Sequence, residues 1–96
     1  MGLKQMRLKQ IGSNMTELEI VPVYDGVTKD STWILFSYET PVAGRSPDRG
    51  VFKTSEYFSA TTTKHINKYF RMEWDIDPET VQEIDQETIE GILNNG

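Results

Sequence analysis

Lys64, Lys68 and Arg71 are the residues whose type and spacing most directly suggest chemistry. Intervals of four and three put their side chains along one stripe of a helix, because residues three and four apart are neighbours on a helical surface. Cations in such a line attract phosphate or carboxylate groups. Arg45, Arg49 and Lys53 lie upstream, and residues 45–71 carry six cations against Asp48 and Glu56, a local balance of +4. With Tyr57 and Tyr69 interleaved, this stretch has what a nucleic-acid surface needs, since cations bind phosphate and rings stack on bases. The overall charge of −5 opposes that reading, because nucleic-acid-binding domains are generally basic. A solvated helix face is the simpler account of the same residues.

His65, the only histidine, falls beside this stripe. A lone imidazole does acid–base chemistry only when paired with a nucleophile and an orienting carboxylate. Serine and threonine are plentiful, but no segment resembles a strained nucleophile turn, so a structural role is expected. Its titration near neutrality leaves a proton-sensing role open. Asp75-Ile-Asp-Pro-Glu79 begins like a calcium loop and then fails, with Thr80 where glycine is needed and Gln86 where a bidentate Glu belongs. The segment from Gly44 to Gly50 lacks the Lys-Ser/Thr of a phosphate loop. No cysteine is present, which removes disulfides, thiolate catalysis and sulfur-bound metals. No catalytic residue, metal ligand or cofactor is therefore assigned, and an enzyme is not expected. The candidate binding face is Lys64, His65, Lys68 and Arg71, with Arg45 and Arg49.

Positioning these residues requires a small core, and 96 residues supply one modest domain over residues 1–96. Residues 1–10 are polar and basic and read as a loosely held arm, with a first strand beginning near Lys9. Residues 16–24 alternate Leu18 and Ile20 with Glu17 and Glu19, the period of a half-buried strand. Pro22 lacks an amide donor, so this strand is expected at an edge or to end there. Asp25-Gly26 marks a turn. Trp33-Ile-Leu-Phe-Ser-Tyr38 is a continuous apolar run and reads as a central strand covered on both faces. Residues 44–50 read as a loop, and residues 51–58 as the strand returning beside the central one.

Ser59 or Thr61 then caps a helix whose inner stripe is Ile66, Phe70 and Trp74 with Tyr69 alongside. Pro78 marks its limit, since the residue before a proline avoids the helical region. Residues 79–84 suggest a short strand, and Asp85 caps a last helix through Leu93. The fold class is α+β: a small antiparallel sheet of three to four strands with a central amphipathic helix, then a short strand and a C-terminal helix. Both helices are expected on one face of the sheet.

Charge divides the chain. Residues 1–74 hold all ten bases against eight acids, for +2, whereas residues 75–96 hold seven acids and no base, for −7. This acidic segment reads as a solvated helix, or as an internal competitor for the basic stripe. No apolar run approaches the roughly 20 residues of a spanning helix, and the first residues lack a secretory apolar region. A cytoplasmic protein without membrane contact is expected.

Three blocks taken together carry a resemblance: Ser13-Asn-Met-Thr-Glu-Leu18, Ile34-Leu-Phe-Ser-Tyr-Glu-Thr-Pro-Val-Ala43, and Lys53-Thr54 followed by Thr61-Thr-Thr-Lys-His-Ile-Asn-Lys68. Their order and spacing resemble a family of small uncharacterised proteins of tailed bacteriophages, over roughly residues 8–93. The first residues and the Arg45–Arg49 loop depart from its pattern. The resemblance implies a phage origin and expression in the host cytoplasm, and it carries over no catalytic residue. The reading that follows is a non-enzymatic protein that binds a host or phage protein. A nucleic-acid or nucleotide binder using the basic helix face is the alternative. A homodimer through sheet edges stays open.

Overall fold

A computed structural model describes residues 3–94. Seven strands and two helices follow one another: β1 Leu3–Gly12, β2 Met15–Tyr24, β3 Val27–Thr28, β4 Thr32–Ser37, β5 Thr40–Ser46, β6 Gly50–Thr54, α1 Ala60–Glu73, β7 Gln82–Ile84 and α2 Gln86–Asn94. A 3-10 turn over Pro78–Thr80 leads into β7. The fold is α+β. The sheet runs β1-β2-β4-β5-β6-β7, with β3 pairing β2 beyond the end of β4. Every pairing is antiparallel except β6 with β7, the one made across the α1 connection.

The sheet is larger than the three to four strands expected, for two local reasons. Leu3–Gly12 is a ten-residue strand in register with β2 from Leu3↔Val23 to Gln10↔Thr16, where the sequence suggested a loose arm. Its Lys and Gln content hid a strand whose side chains are largely solvated. Residues 44–46 belong to β5 and not to a loop, so β5 lies between the central strand and β6. Gly44 is there for space: a Cβ on it would run into the Trp33 carbonyl and come within 3.0 Å of the Phe52 ring. The turn signal belonged to packing. Residues 55–58 lie outside β6.

Pro22 does sit inside β2, yet β2 is not an edge. Its carbonyl accepts from the Lys29 amide at 2.8 Å, which turns its backbone polar groups toward the β3 side. The missing donor therefore falls where β4 has already ended, and no ladder bond to β1 is lost. The Asp25-Gly26 turn takes φ of 52° and 78°, the left-handed pair that a two-residue hairpin requires.

The helices lie on opposite faces, correcting the expectation of a single covered face. β4 explains why. Ile34 and Leu35 are adjacent, so they point to opposite sides, and both are fully buried. Leu35 packs with Met15, Val42, Ile66, Tyr69 and Phe70 under α1. Ile34 packs with Leu18, Ile20, Phe52 and Ile89 under α2. Each face needs its own apolar cover, and one helix cannot supply both.

Helix ends are built as the side chains predict. Ser59 Oγ accepts from the Thr62 amide at 3.1 Å, and Asp85 Oδ1 from the Thr88 amide at 2.7 Å. The Thr88 hydroxyl and then its amide hold the Asp85 carboxyl below its ordinary range. Asp75, at φ 52°, ends α1 before Pro78 is reached, and the Ile76 amide turns back to the Phe70 carbonyl at 2.9 Å. Lys53 Nζ donates to the Pro78 carbonyl at 2.8 Å and Gln86 Nε2 to the Pro41 carbonyl at 2.7 Å, tying the C-terminal segment to β6 and β5. Among the described residues no helix is long and apolar enough to cross a membrane.

Gly44→Ala is expected to destabilise by about 1–3 kcal/mol through overpacking. At about 4–8 °C per kcal/mol, a melting experiment reads this directly. A Tm unchanged from the wild type would show that residue 44 does not approach the Trp33 backbone and the Phe52 ring so closely.

Candidate functional site

The inner side of α1 is set by Thr62, Ile66, Tyr69 and Phe70, all buried, and this fixes the outer side. Lys64, Lys68 and Arg71 are exposed there, one helical turn apart. Among the described residues the one contact between opposite charges within 4.0 Å is Arg7 to Glu19, so the α1 cations hold no ion pair. Arg71 shares a shallow depression with Asp75 and Asp77. Exposed rings flank the first half of the helix: Tyr57 and Phe58 precede the Ser59 cap, and Tyr38 lies 5.7 Å from the His65 ring, centre to centre.

His65 has turned away from the cationic stripe into a hydroxyl chain. Its Nδ1 is 2.8 Å from Ser37 Oγ, which is 3.0 Å from Thr62 Oγ1, and Ser59 Oγ donates to Thr62 Oγ1 at 3.2 Å. Ser59 is the donor to Thr62, whereas the Thr62–Ser37 and Ser37–Nδ1 bonds are compatible with either direction, because each hydroxyl can accept twice and donate once. Burial pushes the imidazole below its ordinary pKa of 6.5, and the nearby Lys68 ammonium adds to this. The Ser37 hydroxyl is an unsuitable nucleophile, because Ser37 is only 2% exposed. The chain of hydroxyls pins the start of α1 to the end of β4.

Arg45 and Arg49 each line a depression separate from the one that Arg71 lines. Arg45 leaves β5 on the α1 side and lies over the Trp74 ring, 4.9 Å from its centre. Trp74 meets Trp33 edge to face at 5.3 Å. The sequence did not reveal this cluster, because it arises from the cross-strand pairing of Trp33 with Arg45 and from the helix end landing on both. A cleft of about 410 Å³ beside it is lined by Asp30, Ser31, Trp33, Arg45 and Ser46. Arg49 belongs to the turn after β5 and lines a separate depression with Thr88 and Ile92 of α2.

Beneath the Trp74 cluster, the fully buried Tyr69 donates its hydroxyl to Glu17 Oε2 at 2.7 Å. Burial raises the Glu17 carboxyl above its ordinary range, against the lowering effect of that bond. The phenol is driven upward by burial and by the carboxylate it faces. The Trp74 indole N–H works slightly against that rise, yet it reaches hydrogen-bonding geometry with no group.

Only part of the acidic segment lies beside the basic stripe. Glu87 and Glu90 are carried by α2 on the far side of the sheet, so of this segment Asp75 and Asp77 are the acids grouped with Arg71. Among the described residues no three His, Asp or Glu side chains converge as a metal site would require.

As the only imidazole, His65 gives a single titration curve by NMR, expected with its midpoint below 6.5. The sign follows: between the lowered native pKa and 6.5 the unfolded chain binds more protons, so this group's stabilisation is complete above 6.5 and is lost as pH falls. A midpoint at or above 6.5 would contradict the burial of the ring beside Lys68.

No curated protein and no solved structure matches the chain. A family described as a family of unknown function, DUF8033, matches residues 6–91, which takes in β2 through β7, α1 and the Trp74 cluster. The chain belongs to that family.

Proposed function

We propose that this chain is a non-enzymatic binding protein that engages an acidic protein surface through the outer face of α1. One observation carries this: Lys64, Lys68 and Arg71 are exposed, hold no ion pair among the described residues, and follow the exposed rings Tyr57 and Phe58 at the start of the same helix. Cations beside solvent-exposed rings combine the charge and the aromatic area that protein interfaces concentrate. The block pattern from Ser13 to Lys68, which resembles that of tailed-phage proteins, supports a phage origin and a host or phage protein as the partner in the host cytoplasm.

A second reading, nucleic-acid binding, gains from one finding. The acids of α2 lie across the sheet from α1, so the net charge of −5 does not describe the field at the stripe. Phosphates would meet Lys64, Lys68 and Arg71, and the tyrosine rings would stack on bases.

The triple variant Lys64→Glu, Lys68→Glu, Arg71→Glu changes only exposed positions and is expected to keep its Tm within a few degrees. A protein captured by the wild-type chain from infected cells should bind this variant at least about 100-fold more weakly, about 2.7 kcal/mol. Equal capture by both would remove α1 as the binding face. For oligonucleotides, three phosphate contacts predict a log–log salt slope of about −2 to −3. No retention at low salt would end the second reading.

A further inference from the structure

The two edges of the sheet are finished differently. β7 closes one edge with three residues. β1 leaves the other open for ten, with no proline, and its one irregularity is between Gln10 and Gly12. Natural edges are blunted by shortness, proline, bulges or charged side chains, because a long open edge invites pairing; β1 has Lys4, Arg7 and Lys9 but neither shortness nor proline. Leu3, Met6 and Leu8 on β1 are 73%, 50% and 72% exposed. We infer that β1 is the interface of a homodimer, in which two copies pair their β1 strands antiparallel about a two-fold axis at Met6.

Backbone parity shows which groups are free. Pro22 directs its carbonyl to Lys29 on the β3 side, so the neighbouring Val21 and Val23 direct theirs to β1. Their partners Gln5 and Leu3 therefore face inward, and so do Arg7 and Lys9 by alternation. Lys4, Met6 and Leu8 are left with outward N–H and C=O groups. Antiparallel pairing must match these even-numbered residues with one another.

Charge selects the register and the partner. Arg7 is 4.0 Å from Glu19, and Lys9 stands opposite Glu17, so the edge is not an uncompensated basic strip seeking an acidic ligand. Centring the axis on Arg7 would set it directly against its copy, and centring on Leu8 would set Arg7 against Lys9; like charges directly opposite destabilise. Centring on Met6 sets Met6 against Met6, Lys4 against Leu8 and Gln5 against Arg7. No like charges then face each other, and three hydrogen-bonded pairs exchange about six bonds. Centring on Gln5 also avoids the clash, but it uses fewer of the outward groups and leaves Leu8 uncovered.

The side chains agree. Met6 and Leu8 pair with Ile20 and Leu18, so they continue the apolar face beneath α2. In the dimer the second copy's Met6 abuts this face, and each Lys4 lays its stem along a Leu8. One strand pair is smaller than a standard interface of about 1,600 Å², so micromolar association is expected. Two six-strand paths then merge into one sheet with both α1 helices on the same side.

Sedimentation at about 0.3 mM should return twice the monomer mass for the wild-type chain. Met6→Pro removes an outward donor without touching the β1–β2 ladder, so it should keep its circular dichroism and dissociate at least about 100-fold more readily. Because the chain has no cysteine, Met6→Cys can form a disulfide only with its copy. The expected Cα separation of about 5.5 Å suits one, whereas Leu8→Cys would sit about 14 Å from its copy. Met6→Cys dimers on a non-reducing gel, with Leu8→Cys remaining monomeric, support the proposal. A monomeric wild type at that concentration, a Met6→Pro dimer of unchanged strength, or cross-linking of Leu8→Cys but not Met6→Cys each overturns it. None of these outcomes touches α1, so the α1 reading stands or falls separately.

Discussion

Everything in this molecule depends on β4 having no solvent face. Ile34 and Leu35, consecutive in the strand, are both fully buried, which forces apolar cover onto both sides of a sheet only six strands wide along its main path. A chain of this length can meet that demand only by sending its two helices to opposite sides. Each buried core side chain of this size stabilises by about 1.5–3 kcal/mol, so losing either cover would remove a large part of a small domain's net stability. The parallel β6–β7 pairing is the topological consequence. The chain must cross over α1's face, return at the sheet edge as β7, and then fall to the other side as α2.

That arrangement also sorts the charge. Placing α2 beneath the sheet carries Glu87 and Glu90 away from α1, and it leaves Lys64 and Lys68 exposed and Arg71 with Asp75 and Asp77 as its acidic neighbours. An acidic chain can therefore present a cationic face. His65 belongs to the scaffold side of α1, where its neutral ring ends a run of hydroxyls from the Ser59 cap to Ser37. The polar groups that look most reactive in the sequence serve to join helix to strand. The exposed stripe beside them takes no part in that joint.

Local chemistry was legible wherever a single segment determined it. The Leu18/Ile20 alternation marks β2, the Trp33-to-Tyr38 run marks β4, and Ser59 and Asp85 announce both helix starts. What depended on partners was hidden. Gly44 looks like a turn residue until Phe52 and the Trp33 backbone occupy the space a side chain would need. The polar β1 has little periodic signal of its own because only one neighbour, β2, gives it a reason to be extended. The cationic spacing of α1 could be read directly, whereas the Arg45–Trp74–Trp33 stack required a register, and Arg49 required knowing which side α2 takes.

Double-mutant cycles across β4 test the two-sided packing most directly. Conservative truncations Ile34→Val and Leu35→Val would each be combined with Ile89→Val and Phe70→Leu. Ile34 should couple to Ile89, and Leu35 to Phe70, by about 0.5 kcal/mol or more, while the crossed pairs should add within about 0.3–0.5 kcal/mol. Coupling of Ile34 to Phe70, with none to Ile89, would place both helices on one face and contradict two-sided packing.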